Sequence, residues 1–203
     1  MNRLNPRLPL VFDTRELSRR PGAMLEMQRT VPAPDDLGDI DLIAIPPGQP
    51  IELDLRMESV MEGVLVTGSA HATATGVCVR CLDPMTRHVG GHFQELFAYA
   101  DRATHHHEVA TEDDEDEVFE LVGDMFDLEP VLRDAMVPAM PFQPVCRDDC
   151  PGLCSECGMR LTEDPTHHHD QLDPRWAALQ NIATPHIATP DNTSPASNQE
   201  KRN

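Results

Sequence analysis

Residues 51–58, IELDLRME, alternate without a break, setting Ile51, Leu53, Leu55 and Met57 against Glu52, Asp54, Arg56 and Glu58. Only an extended chain sends successive side chains to opposite faces, so the stretch predicts a strand with one buried and one wet side. Residues 63–75 keep the same period, with Val64, Val66, Ala70, Ala72 and Ala74 on one face and Thr67, Ser69, His71, Thr73 and Thr75 on the other. A third strand around 87–99 carries Val89, Phe93, Phe97 and Tyr99 on one parity. The spacings leave no room for a long crossover helix, which implies antiparallel pairing. The expected fold is α+β: an antiparallel, curved or barrel-like sheet over 36–100, peripheral helices and a C-terminal zinc-knuckle segment.

Residues 1–35 read as an Arg-rich N-terminal arm, in which DTRELSRRPG predicts a short helix capped by Asp13 or Thr14 and ended by Pro21-Gly22. VPAPDD and PPGQP are turn-rich punctuation around the apolar run IDLIAI. Residues 101–120 read as an acidic, solvated loop, containing HHH at 105–107 and then TEDDEDEVFE. Within 121–182, DLEPVLRDAMVPAM predicts a helix with Asp127 as cap, Pro130 in its first turn and Leu128, Val131, Leu132, Ala135 and Met136 as packing face, ended by Pro138. DPRWAALQNI predicts a short closing helix capped by Asp173, and 183–203, rich in Pro, Ser, Thr and Asn, reads as a disordered tail.

Charge narrows the function classes. Sixteen basic against thirty-five acidic residues leave a net charge of −19, which disfavours a generic duplex-DNA binder that must neutralise phosphates. The distribution is uneven: residues 1–30 hold six arginines against three acids, and residues 101–130 hold twelve acids against Arg102 alone. The opening MNRLNPRLPLVF has an apolar run too short for a signal core or a membrane span, so a cytoplasmic chain is expected, with no membrane partner.

In a reducing compartment clustered cysteines are metal ligands or redox groups more often than disulfides. Four of the six cysteines fall within CRDDCPGLCSEC, residues 146–157. Cys154 and Cys157, followed by Gly158, have the form of a zinc knuckle, whose tight turn aims two sulfurs at one ion. Three pairs could complete the tetrahedron: Cys146 and Cys150 locally, His167 and His169 after a nine-residue spacer, or Cys78 and Cys81 reaching in from the sheet. The local cysteines are the preferred partners and the histidines come next, with room for two ions. Arg147 and Arg160 nearby read as surface charges. CVRC at 78–81 lacks the following helix that a thioredoxin-like redox pair uses to activate its first thiol, so a metal half-site is the better reading. Neither HExxH nor a nucleophile elbow is present, so the zinc is expected to be structural, with no catalytic residues and no small-molecule substrate.

Six separated motifs, PLVFDTRELSRRPG, GVCVRCLDPM, QELFAY, DLEPVLRDAMV, CRDDCPGLCSECG and DPRWAALQ, occur in an order and spacing that resemble the YceD family, the large ribosomal RNA subunit accumulation proteins, in its actinobacterial form. The resemblance runs to about residue 182. It implies a non-enzymatic factor supporting synthesis, processing or stability of large-subunit ribosomal RNA, with that RNA or a pre-ribosomal particle as partner and a small basic ribosomal protein as a further one. The cysteine motifs carry over onto Cys78, Cys81, Cys146, Cys150, Cys154 and Cys157. Many relatives have CxC where this chain has His167-His168-His169, and imidazole can replace thiolate on zinc. The competing expectation is a zinc-ribbon adaptor that binds proteins away from ribosomes.

Overall fold

The computed structural model describes residues 4–39, 42–102, 119–169 and 175. The expected HHH at 105–107, most of the acidic loop, the closing helix except Arg175, and the tail lie outside the described residues. The chain divides into two compact units, Met1–Pro165 and Thr166–Asn203. Arm, sheet and cysteine-rich segment therefore all belong to the first.

Alternation becomes strand where it was expected. β5 (Pro50–Ser59), β6 (Gly63–Val77) and β7 (Pro84–Ala98) form an antiparallel meander. Ile51, Leu53, Leu55 and Met57 are buried on the inner face with Val64, Val66, Ala70 and Ala74. Removing that apolar surface from water is the main force holding the layer together. The first half of β6 pairs with β5 and its far end pairs with β4 (Ile43–Ile45), which in turn pairs with β3 (Leu37–Asp39). With β2 (Met24–Pro32) paired to β5, the order β2-β5-β6-β4-β3, with β7 on β6, describes an open sheet, so the barrel-like alternative is corrected: the path does not close.

The short helix expected in the arm is smaller than its sequence suggested, and most of the rest is strand. Residues 24–32 form a nine-residue strand, β2, paired along its whole length with β5. What was read as a helix reduces to one 3-10 turn, Arg15–Leu17, with no side-chain cap. Asp13 instead accepts the Arg15 backbone N–H at 2.9 Å, and the Thr14 hydroxyl donates to the Asp124 carbonyl at 3.0 Å. Short side chains that satisfy nearby backbone groups favour such turns over helix.

Three-residue strands β1 (Val11–Asp13) and β8 (Met125–Asp127) pair antiparallel and bring the beginning of the chain to its middle. They deliver Phe12 and Phe126, whose rings lie 5.5 Å apart, while Phe126 meets Phe97 of β7 at 4.4 Å. Helix α1 (Glu129–Met136) follows, burying Val131, Leu132 and Met136 as its stripe predicts. Asp127 accepts the Glu129 N–H at 3.0 Å, and the helix stops before Pro138. No helix among the described residues is long and apolar enough to cross a membrane.

Candidate metal centre

β6 and β7 pair residue for residue from Gly63–Ala98 to Val77–Pro84, which leaves Cys78–Asp83 as the tip of a long hairpin. The tip is a tight knuckle: the Cys78 N–H donates to the Asp83 carbonyl at 2.9 Å and the Leu82 N–H to the Cys78 carbonyl at 2.8 Å. Both thiols point inward and are buried, with Met85 packed against them.

The segment after α1 docks on this tip through its backbone. Val79 N–H donates to Pro144 O at 2.9 Å and Leu153 N–H to Arg80 O at 3.0 Å, while the Arg80 guanidinium donates to the carbonyls of Asp148 and Cys150 at 3.1 and 3.0 Å. Gly152 is required here. Its φ is +79° and a Cβ would stand 2.9 Å from the Arg80 carbonyl oxygen.

This docking brings Cys146 and Cys150 to the hairpin. Cys78 Sγ lies 3.9 Å from Cys150 Sγ and Cys81 Sγ lies 3.8 Å from Cys146 Sγ, and all four sulfurs fall within 4.8 Å of one another. Those are the edges of a metal tetrahedron rather than of a disulfide: Zn–S bonds of about 2.3 Å set sulfurs about 3.8 Å apart, whereas a disulfide needs about 2.05 Å. The donor set therefore fits a thiophilic ion, and the four cysteines could hold one.

The surroundings prepare the sulfurs unequally. Burial opposes ionisation of Cys78, but the backbone N–H groups of Cys146, Cys81 and Arg80 outweigh it and lower its pKa to about 6. The Asp83 N–H favours the Cys81 thiolate, yet burial and the three neighbouring sulfurs win and push Cys81 up. Cys146 is raised too, chiefly by Cys150 and then by burial. One ready thiolate beside reluctant neighbours is the condition that a cation relieves, because metal binding displaces the remaining protons.

The grouping differs from the one that nearness in sequence favoured. Cys146 and Cys150 lie with Cys78 and Cys81, where the four could hold one ion, whereas the sequence alone preferred them as partners of Cys154 and Cys157. The latter pair forms a second knuckle with the same hydrogen bonds, Cys154 N–H to Met159 O at 2.8 Å and Gly158 N–H to Cys154 O at 2.9 Å. In the other unit, His167 and His169 turn their Nε2 atoms to within 2.8 Å. Arg160 and Arg147 lie at the surface as read, Arg160 paired with Asp83 at 2.5 Å and Arg147 with Asp149 at 3.2 Å. Arg80 was not singled out in the sequence, although its place inside CVRC was a signal that it would lie at the site.

The sequence profile described as "Large ribosomal RNA subunit accumulation protein YceD" matches residues 66–183, more than half of the chain and a span that includes all six cysteines. The chain belongs to the YceD family. Several mycobacterial proteins, each named only as an uncharacterized protein, are similar over most of the chain. One from Mycobacterium tuberculosis is 49% identical over 181 residues, covering 89% of this chain and 84% of the relative. A Mycobacterium bovis protein matches equally well, and one from Mycobacterium leprae is 46% identical over 179 residues, 88% of this chain and 80% of its own. These relatives fit the actinobacterial form of the YceD family. No solved structure matches the chain.

Proposed function

We propose that this YceD protein is a non-enzymatic, cytoplasmic assembly factor that supports accumulation of large-subunit ribosomal RNA, and that zinc at Cys78, Cys81, Cys146 and Cys150 holds it in working shape. The observation that carries the reading is the family match over 66–183, which spans the hairpin, α1 and both knuckles. The metal part is supported by the tetrahedral sulfur spacing. A site closed by four protein ligands leaves no position for a substrate or an activated water, which favours a structural over a catalytic ion. Cys154 and Cys157, in a knuckle of the same form, supply half of a ligand set for a second zinc.

A protein of net charge −19 competes poorly for bulk RNA and suits a strongly basic ribosomal protein as partner. The test is the sedimentation profile of ribosomal particles from depleted cells, with large-subunit RNA measured in every fraction. Loss of large subunits, restored by the wild-type chain and not by a Cys78→Ser, Cys150→Ser double variant, is the expected result. A normal profile would overturn the ribosomal reading and leave the adaptor.

A further inference from the structure

Between the end of α1 and the metal centre the chain displays a phenylalanine to solvent. Phe142 is 90% exposed and Val137 44%, which is a costly way to present large apolar side chains. With Leu42, Ile43, Met140 and Pro141 they line a hollow of about 330 Å³. The segment is fixed at both sides of Phe142. Met140 N–H donates to Val137 O at 3.2 Å, and Pro144 O accepts the Val79 N–H of the metal-bearing hairpin tip.

The charges beside the hollow select its occupant. Asp35 and Asp36 are exposed in the turn that leads to Gly38 in the wall, and Asp134 is exposed one helical turn before Val137. Arg133 stands among them but is already engaged, by Glu129 at 2.7 Å and by the carbonyls of Asp35 and Asp36 at 2.7 and 3.0 Å. Among the described residues these three carboxylates have no free cation beside them, so they repel phosphate and equally repel the same face of a second copy. They attract lysine and arginine, and the hollow takes one apolar side chain.

We propose that this hollow docks a cationic polypeptide segment, an apolar anchor flanked by lysine or arginine, with Phe142 as the aromatic contact. The proposal deepens the ribosomal reading and rests on it only for the source of the segment, a protein of the large subunit. It also makes docking dependent on metal, because the hairpin tip that holds Pro144 is the tip the ion organises.

The probe is the photo-reactive residue p-benzoylphenylalanine placed at position 142 of the full chain in growing cells, with each cross-linked partner identified by mass spectrometry. The expected product is a strongly basic large-subunit protein, and neutralising the rim with Asp35→Asn, Asp36→Asn and Asp134→Asn should cut its yield at least tenfold. With that purified partner, Val137→Ser should weaken binding about tenfold while metal content stays unchanged, which separates lost docking from lost folding. A basic partner foreign to the ribosome would keep the docking proposal and sink the ribosomal reading. Cross-links only to RNA, to a second copy, within the chain or to an acidic protein, or none, would overturn the proposal.

Discussion

Leu82 and Gly158 hold the same place in two knuckles: each follows the second cysteine of a CxxC, each has positive φ, at 60° and 73°, and each donates its N–H to the first cysteine's carbonyl. Glycine adopts that conformation freely, whereas a residue with a Cβ is strained by roughly 1–2 kcal/mol. Leu82→Gly should therefore leave stability within about 1 kcal/mol of wild type, on the stabilising side, because the relieved strain exceeds the added chain entropy of glycine. Gly158→Ala should cost about 1 kcal/mol, although nothing crowds its Cβ position. Denaturant unfolding of the metal-loaded protein checks both, and a destabilised Leu82→Gly would refute the shared geometry.

Chelating the metal should loosen the site without unfolding the sheet. The hairpin tip and the docked segment 144–161 have little core beyond Met85 and Val145, while β5 and β6 bury a separate apolar cluster. Hydrogen exchange after chelation should accelerate at residues 78–83 and 144–161 and remain slow in Leu53–Met57 and Val64–Ala70. Uniform acceleration across the sheet would show that the ion supports the whole unit.

Phe126 joins the N-terminal strand to the sheet through its contacts with Phe12 and Phe97 and is fully buried. Phe126→Ala should cost about 3–5 kcal/mol, from lost transfer energy and the cavity left behind. Thermal unfolding reads this directly. A cost below about 1 kcal/mol would mean that β1 and β8 are not an integral part of the core.

The Arg15 guanidinium holds the Asp13 carboxyl below its usual pKa; burial opposes it less strongly, and the Arg15 backbone N–H adds a smaller lowering effect. A carboxylate with a depressed folded pKa contributes stability above its unfolded pKa and loses it as pH falls through the folded value. Asp13→Asn should thus be less stable than wild type at neutral pH, with a small gap because the pair is exposed. That gap should close as pH is lowered from about 4 toward 2, and a constant gap would assign the effect to something other than the charge.

The strands of the meander were legible because their residues alternate cleanly. β2 was not, since Arg29 sits at an inward parity between Met27 and Val31, covered by stacking on the Phe12 ring at 5.2 Å instead of by burial. β1 and β8 are three residues each and far apart in sequence, so local pattern carries no sign of their pairing. The six cysteines were legible as candidate ligands, and the grouping of Cys146 and Cys150 with the hairpin tip was not. Nearness in sequence favoured Cys146 and Cys150 for the neighbouring knuckle, whereas the backbone bonds from Val79, Arg80 and Leu153 bring them to the hairpin tip.

The central claim is that Cys78 and Cys81 share one ion with Cys146 and Cys150. Metal content of purified protein tests it directly, using a Cys78→Ser, Cys81→Ser variant, a Cys146→Ser, Cys150→Ser variant, and the two combined. Each pair should lose about one equivalent and the combination no more, since both pairs remove the same ion. Losses that add, or a Cys146→Ser, Cys150→Ser variant that fails to lower metal content unless Cys154 and Cys157 are also replaced, would contradict it.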